Sequence, residues 1–217
     1  MAQYKLHCVG ASGNAYKVAL YLTCAGLDWE AVGIDFARGQ TRDASWRAEN
    51  NPMGEVPVLE TAGKRLSQSG AILMWLAETT GQFAPADADE RFEVMRWILF
   101  DNHRFTGSIA PYRFMFSLAP QPPHPDVLSY IKARVEAAFS IVEAHLSDRA
   151  FMLGDRPTIA DFSMVGYMYY PPEETGFDVA ATFPAIDAWR QRIRALHGWK
   201  APYELMPVGV SLPLRTP

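Results

Sequence analysis

The stretch Asn51-Pro52-Met53-Gly54-Glu55-Val56-Pro57-Val58-Leu59 decides how this chain folds. A proline directly ahead of a strand removes a ladder donor and is tolerated only at the strand's start or edge, so Pro57 marks a special backbone position within a short strand over 56–59. If the Val56–Pro57 bond is cis, at about 0.5 to 1 kcal/mol, the bend turns the Val56 amide and carbonyl outward, where an extended peptide can pair as an added strand. A second short strand over 64–66 follows the small residues Thr61-Ala62-Gly63, which suit a hairpin turn. Gln68-Ser69 then ends the hairpin and opens a helix over 70–78. The Ser69 hydroxyl and the free amides of that first turn suit an α-carboxylate.

Upstream, residues 4–9 alternate apolar and polar and run into Gly10-Ala11-Ser12-Gly13-Asn14, after which Val18, Leu20, Tyr21 and Leu22 begin a helical apolar face. Residues 29–34 read as another strand, completing a βαβ unit. With the hairpin, residues 1–80 predict a mixed four-stranded sheet with helices. The helix over 70–78 is apolar nearly all round, from Ala71 to Ala77, so a second domain or subunit must cover part of it.

Downstream, the Pro, Ala and Asp content of 81–87 marks a linker, and beyond it strand signals stop. Phe92, Met95 and Leu99 form one helical stripe, Val127, Ile131, Ala138 and Val142 a second, and Ile186, Trp189, Ile193 and Leu196 a third, so 88–217 reads as an all-helical domain. Thr158-Ile159-Ala160-Asp161 is a helix-start capping box. Residues 119–125, rich in proline, are a break between helices, and 203–217 lacks helical spacing, which leaves it as a cover over a cleft or a surface tail.

The net charge of −4, with no segment rich in Lys and Arg, argues against nucleic acid. No basic stretch leads into an apolar one at the start, and no apolar run approaches the ~20 residues that span a bilayer, which predicts a cytoplasmic protein without a membrane segment. Cys8 and Cys24 form no Cys-x-x-Cys pair, and the five histidines lack metal-ligand spacing, so no metal is expected.

Asn-Pro-x-Gly-x-Val-Pro-x-Leu followed by Gln-Ser-x-Ala-Ile closely resembles the thioredoxin-like domain of cytosolic glutathione transferases. With the helical second half the resemblance covers nearly the whole chain; the capping box at Thr158 and the helix start at Pro184 are similar to that family's second domain. It implies that the Val56 backbone pairs with the cysteinyl part of glutathione and that Gln68 and Ser69 hold the γ-glutamyl carboxylate and amine, with Glu55 assisting. In Gly39-Gln40-Thr41-Arg42, Gln40 is the candidate for the glycine carboxylate, with Arg42 behind it; both also read as solvated loop residues. Ser12-Gly13-Asn14 resembles the catalytic loop of bacterial members, which makes Ser12 the thiol activator and Asn14 its reserve.

A free thiol has a pKa near 8.5, and lowering it by about two units takes about 2.7 kcal/mol. One charge-assisted hydrogen bond from Ser12 supplies roughly 1.5 to 3 kcal/mol and a helix N-terminus about 0.3 to 1, so no general base is needed. Without the resemblance, Ser12 reads as a helix cap or turn former. Cys8 is weighed as a mixed-disulfide former, but its place inside a strand counts against that.

In the helical half, Asn102 continues the Phe92 stripe, as an inter-domain hydrogen bond or a contact to ligand. Phe105, Tyr112, Arg113, Phe114 and Phe116 border the family's electrophile pocket or pack a core. The expected function is a homodimeric transferase, with the 71–78 helix near the interface. Its glutathione thiolate attacks a hydrophobic electrophile between the domains, as in detoxification. Glutathione-dependent disulfide or peroxide reduction and a catalytically silent glutathione-binding module are the alternatives.

Overall fold

The structure, a computed structural model, describes residues 2–215. Residues 2–84 together with Leu196–Leu212 make one compact unit, and Pro85–Ala195 with residues 213–215 make another.

In the first unit, β1 (Tyr4–Cys8) buries Tyr4, Leu6 and Cys8 and leaves Lys5 and His7 half-buried, the period-two pattern of a strand with one face in the core. Helix α1 (Gly13–Cys24) crosses over to β2 (Trp29–Gly33), which runs parallel to β1 with Ala31 opposite Leu6. After α2 (Ala44–Glu49), β3 (Val58–Thr61) runs antiparallel to β1 with Leu59 opposite Leu6, and β4 (Lys64–Ser67) antiparallel to β3. The sheet is mixed and four-stranded, in the order β2-β1-β3-β4, as expected. The hairpin turn holds both central residues in the left-handed region, Ala62 at φ 45 and Gly63 at φ 75, the geometry whose twist matches the flanking strands. Helix α3 (Ser69–Thr80) buries Ile72, Leu73, Leu76 and Ala77 and packs on α1, while Met74 and Trp75 stay half-buried.

The second unit is helical. Helix α4 (Ala88–Phe100), a π-helical turn over Asp101–Phe105, α5 (Thr106–Arg113) and a second π-helical turn over Phe114–Leu118 follow one another directly. Beyond the proline-rich break come α6 (Pro125–Leu146), α7 (Ile159–Met164), the single turns α8 (Pro172–Thr175) and α9 (Val179–Thr182), and α10 (Pro184–Arg194). The core collects Phe105, Val135, Ala138, Phe139, Val142, Ile186, Trp189 and Ile193, with the Phe105 and Phe139 rings stacked at 4.9 Å.

Phe92, Met95 and Leu99 do form a stripe, but it faces outward, with Phe92 67% and Leu99 61% exposed. The opposite face of α4, with Val94, Trp97 and Ile98, is the buried one, and Val127 of α6 is exposed too. Both faces of α4 carry apolar residues, so periodicity locates a stripe without saying which one meets the core.

The chain then returns to the first unit. Leu196–Leu212, with the single turn α11 (Pro202–Leu205), packs there and not in the helical domain that the sequence predicts over 88–217. Residues 206–210 of this segment run over the ends of β1 and β2, and further on the Arg215 amide donates to the Ser117 carbonyl at 2.7 Å; Thr216 and Pro217 lie outside the described residues.

Candidate functional site

Where β1 ends, the Ser12 amide donates to the Val9 carbonyl at 2.9 Å, and the turn delivers Ser12 to the N-cap of α1 at φ −88 and ψ 106. The Ser12 hydroxyl oxygen accepts from the Ala15 amide at 3.2 Å. That contact uses a lone pair, so the hydroxyl proton stays available, and it finds no acceptor among the described residues. The capping role and the thiol-activating role are therefore compatible on one half-buried side chain. Asn14, in the first turn of the same helix, accepts from the Ser69 hydroxyl at 3.4 Å, a long contact that links the α1 and α3 starts.

The 51–69 stretch is built around Asn51, whose role the sequence reading missed. This buried side chain donates to the Glu55 carbonyl at 3.0 Å and accepts from the Met53 amide at 3.1 Å, while the Gly54 amide returns to the Asn51 carbonyl at 2.9 Å. An Asn followed three residues on by a Gly is the signal, because an Asn side chain that bonds the next amides is a turn former. Gly54 sits at φ 71 with the Thr41 carbonyl 2.7 Å from where a Cβ would stand, so no other residue fits.

The Val56–Pro57 bond is cis. The Val56 side chain packs against Ile34, Trp46 and Val58, and neither its amide nor its carbonyl has a backbone partner among the described residues. Glu55 and Gln68 converge, the Gln68 amide nitrogen standing 3.0 Å from a Glu55 carboxylate oxygen and 3.2 Å from the Met53 sulfur. Gln68 holds φ 68 and ψ 107, a region a non-glycine residue occupies at about 1 to 3 kcal/mol and most often at ligand sites. Its carbonyl takes the first bond of α3, from the Ile72 amide at 2.9 Å, which leaves the Ser69, Gly70 and Ala71 amides without intrahelical acceptors. An unpaired backbone at Val56 beside the cis bond, a positive helix end beside an acid–amide pair and a hydroxyl donor at a second helix end thus share one unit. The set suits a peptide with an acidic head and an anion near Ser12.

Gln40 is arranged differently from the expectation. Its side-chain oxygen accepts from the Asp35 amide at 2.8 Å, bracing its own loop, so only its NH2 group is left to donate outward. Arg42 folds back over Gly39. Burial pushes the Cys8 thiol up to about 12, and Cys24 likewise, so neither is a thiolate near neutrality.

Of the candidates in the helical unit, Phe105, Tyr112 and Arg113 are held by its interior. Phe105 is stacked on Phe139, and Tyr112 lies at 5.6 Å from the Phe116 ring and 5.3 Å from Phe177. Arg113, 2% exposed, is ion-paired with buried Glu174 and lies 3.9 Å from the Tyr170 ring centroid. Asn102 is exposed, and the buried polar residue beside it is Asp101, which accepts from the Thr106 amide at 3.2 Å and the Ser163 hydroxyl at 2.6 Å. The capping box forms: the Thr158 hydroxyl accepts from the Ala160 amide at 3.3 Å, and Asp161 accepts from Thr158 at 2.8 Å, Met152 at 2.9 Å and the Trp189 ring at 2.8 Å. Among the described residues no group of three potential His, Cys, Asp or Glu metal ligands comes together, and no helix is long and apolar enough to cross a membrane.

Comparison with known proteins points to one family. The family profile described as Glutathione S-transferase, N-terminal domain, matches residues 3–78, and that described as Glutathione S-transferase, C-terminal domain, matches residues 109–197. The solved structure of a possible glutathione S-transferase from Rhodopseudomonas palustris is 34% identical with a TM-score of 0.81, covering 93% of this chain and 98% of that one. A glutathione transferase homologue from Lodderomyces elongisporus, solved with two glutathione molecules per subunit, is 25% identical with a TM-score of 0.82, covering 94% of this chain and 99% of its own. The Escherichia coli disulfide-bond oxidoreductase YfcG is 25% identical, over 84% of this chain and 86% of its own.

Proposed function

Because the chain belongs to the glutathione S-transferase family, we propose that it binds glutathione on its first unit and conjugates it to a hydrophobic electrophile. Val56 pairs through its backbone with the cysteinyl residue of glutathione. Gln68, Ser69 and the open amides of α3 hold the γ-glutamyl carboxylate, Glu55 faces the amine, and the Gln40 NH2 reaches the glycine carboxylate. Ser12 donates its hydroxyl proton to the sulfur while it caps α1, and Asn14 steadies the α3 start through Ser69. The thiol proton leaves to solvent, the thiolate attacks the electrophilic carbon, a carbon–sulfur bond forms, and the leaving group departs with its electron pair.

The observation that carries this reading is the Ser12 hydroxyl, bonded to Ala15 by a lone pair and free to donate from the positive end of a helix. Turnover of a chlorinated aromatic electrophile tests it: Ser12→Ala should move the pH–rate profile toward higher pH and lower the rate at pH 7 by at least about tenfold. An unmoved profile would contradict it. A detoxifying role in the cytoplasm is part of the proposal. A homodimer is part of the proposal, and it gives the outward Phe92, Met95 and Leu99 stripe a partner; light scattering checks it.

The similarity to YfcG supports a second reading, glutathione-dependent disulfide reduction. Here the glutathione thiolate attacks a disulfide sulfur, one thiol leaves, and a second glutathione resolves the mixed disulfide to oxidised glutathione. With Cys8 buried, Cys24 half-buried and both held as thiols, the chemistry runs on glutathione sulfur alone. Turnover of hydroxyethyl disulfide with negligible conjugation would select this reading, and tight glutathione binding without either reaction would select a silent module.

A further inference from the structure

Three glycines far apart in the chain, Gly10, Gly33 and Gly209, meet beside the ends of β1 and β2. A Cβ on Gly10 would stand 2.8 Å from the Met206 carbonyl oxygen, and one on Gly33 2.7 Å from the Gly209 nitrogen. On Gly209, which sits at φ 81, it would stand 2.8 Å from the Ile34 oxygen and 3.0 Å from the Cys8 oxygen. Residues 206–210 therefore lie backbone against backbone on this edge, an approach that side chains at these three positions would block.

Hydrogen bonds stitch the segment to two loops at once. The Gly10 amide donates to the Val208 carbonyl at 3.2 Å, at the head of the loop that carries Ser12. The Val210 amide donates to the Ile34 carbonyl at 2.9 Å, the Ala37 amide to the Val210 carbonyl at 3.1 Å, and Val210 bridges Asp35 in parallel register. Asp35 is the residue whose amide Gln40 grips, so this second loop is the one that carries Gln40.

We propose that residues 206–210 are a positioning strap for the glutathione site, setting the Ser12 loop in register with the Gln40 loop. The strap rests on the glutathione-binding reading above and deepens it. Under that reading Ser12 meets the sulfur and Gln40 the glycine carboxylate, so the strap fixes the span between two contacts on the same ligand. Releasing it weakens both contacts together, whereas a purely stabilising tail would lower the melting temperature and leave both unchanged.

The test uses the full-length chain with Gly209→Ala and Gly33→Ala, measuring the melting temperature, the glutathione dissociation constant by calorimetry and the bound-thiol pKa by ultraviolet thiolate absorbance. The strap predicts about tenfold weaker glutathione binding and a bound-thiol pKa about half a unit higher in each. Unchanged affinity and pKa with a lowered melting temperature overturn it. If the added methyl prevents folding, truncation after Pro207 removes the stitches without a clash and is read the same way. Ser12→Ala, measured alongside, separates the two ideas. If it raises the thiol pKa and the glycine variants do not, the strap alone fails. If it leaves the pKa unchanged, thiol activation by Ser12 fails, and affinity decides the strap: a tenfold loss in Gly209→Ala sustains it and no loss overturns it.

Discussion

The starts of α1 and α3 in the first unit and the start of α7 in the second are helix N-termini with a Ser or Thr at or beside the cap, and they are finished in opposite ways. At α7 the Thr158–Asp161 box is closed, with the buried carboxylate taking two amides and an indole and the Thr hydroxyl taking a third amide. At α1 and α3 the ends are left open. Ser12 caps with a lone pair and keeps its proton, and three amides at the head of α3 have no intrahelical acceptor. A helix end that satisfies itself stabilises the fold; one that does not leaves its donors to water or to a ligand.

The closed end is where substitution should cost most stability. Asp161→Ala strands the Met152 and Thr158 amides and the Trp189 ring nitrogen, at about 1 to 3 kcal/mol each, so urea denaturation should show a loss of at least about 3 kcal/mol. Glutathione affinity of the protein that remains folded should not change; a change would break the contrast between the two kinds of helix end. Gln68→Ala sharpens it from the open side, where calorimetry should find glutathione bound about five- to tenfold more weakly with the melting temperature nearly unmoved.

The smallest expected effect is on pH dependence. His145, against the Trp97 ring and the Met152 carbonyl, is pushed by burial below its ordinary value of 6.5. The unfolded chain then binds the proton more readily, so stability of the helical unit rises with pH up to about 6.5 and is lost as pH falls through that window. Denaturation midpoints at pH 5 and 7 should differ less in His145→Gln than in the parent.

The contrast between open and closed ends also bears on what the sequence could disclose. Pro57, the alternation of β1 and the hairpin residues carry the fold because each restricts its own backbone, and the capping box could be read for the same reason. Glu55, Val56, Gln68 and Ser69 could be named as candidates because a short motif spans them. Three features depend on tertiary packing and stayed hidden. The α4 stripe faces outward because the opposite face is apolar too. Gln40 turns its oxygen inward to the Asp35 amide, which no local pattern announces. The return of 206–210 to the sheet edge needs Gly10, Gly33 and Gly209 to meet across the whole length of the chain.

The central claim is that the open α1 end completes itself on the glutathione sulfur, and the bound-thiol pKa of parent and Ser12→Ala protein measures it directly. The structure predicts a parent value well below the free-thiol value near 8.5, raised by about one to two units in Ser12→Ala, with only about 1 kcal/mol of stability lost with the cap. The same pKa in both proteins would contradict it.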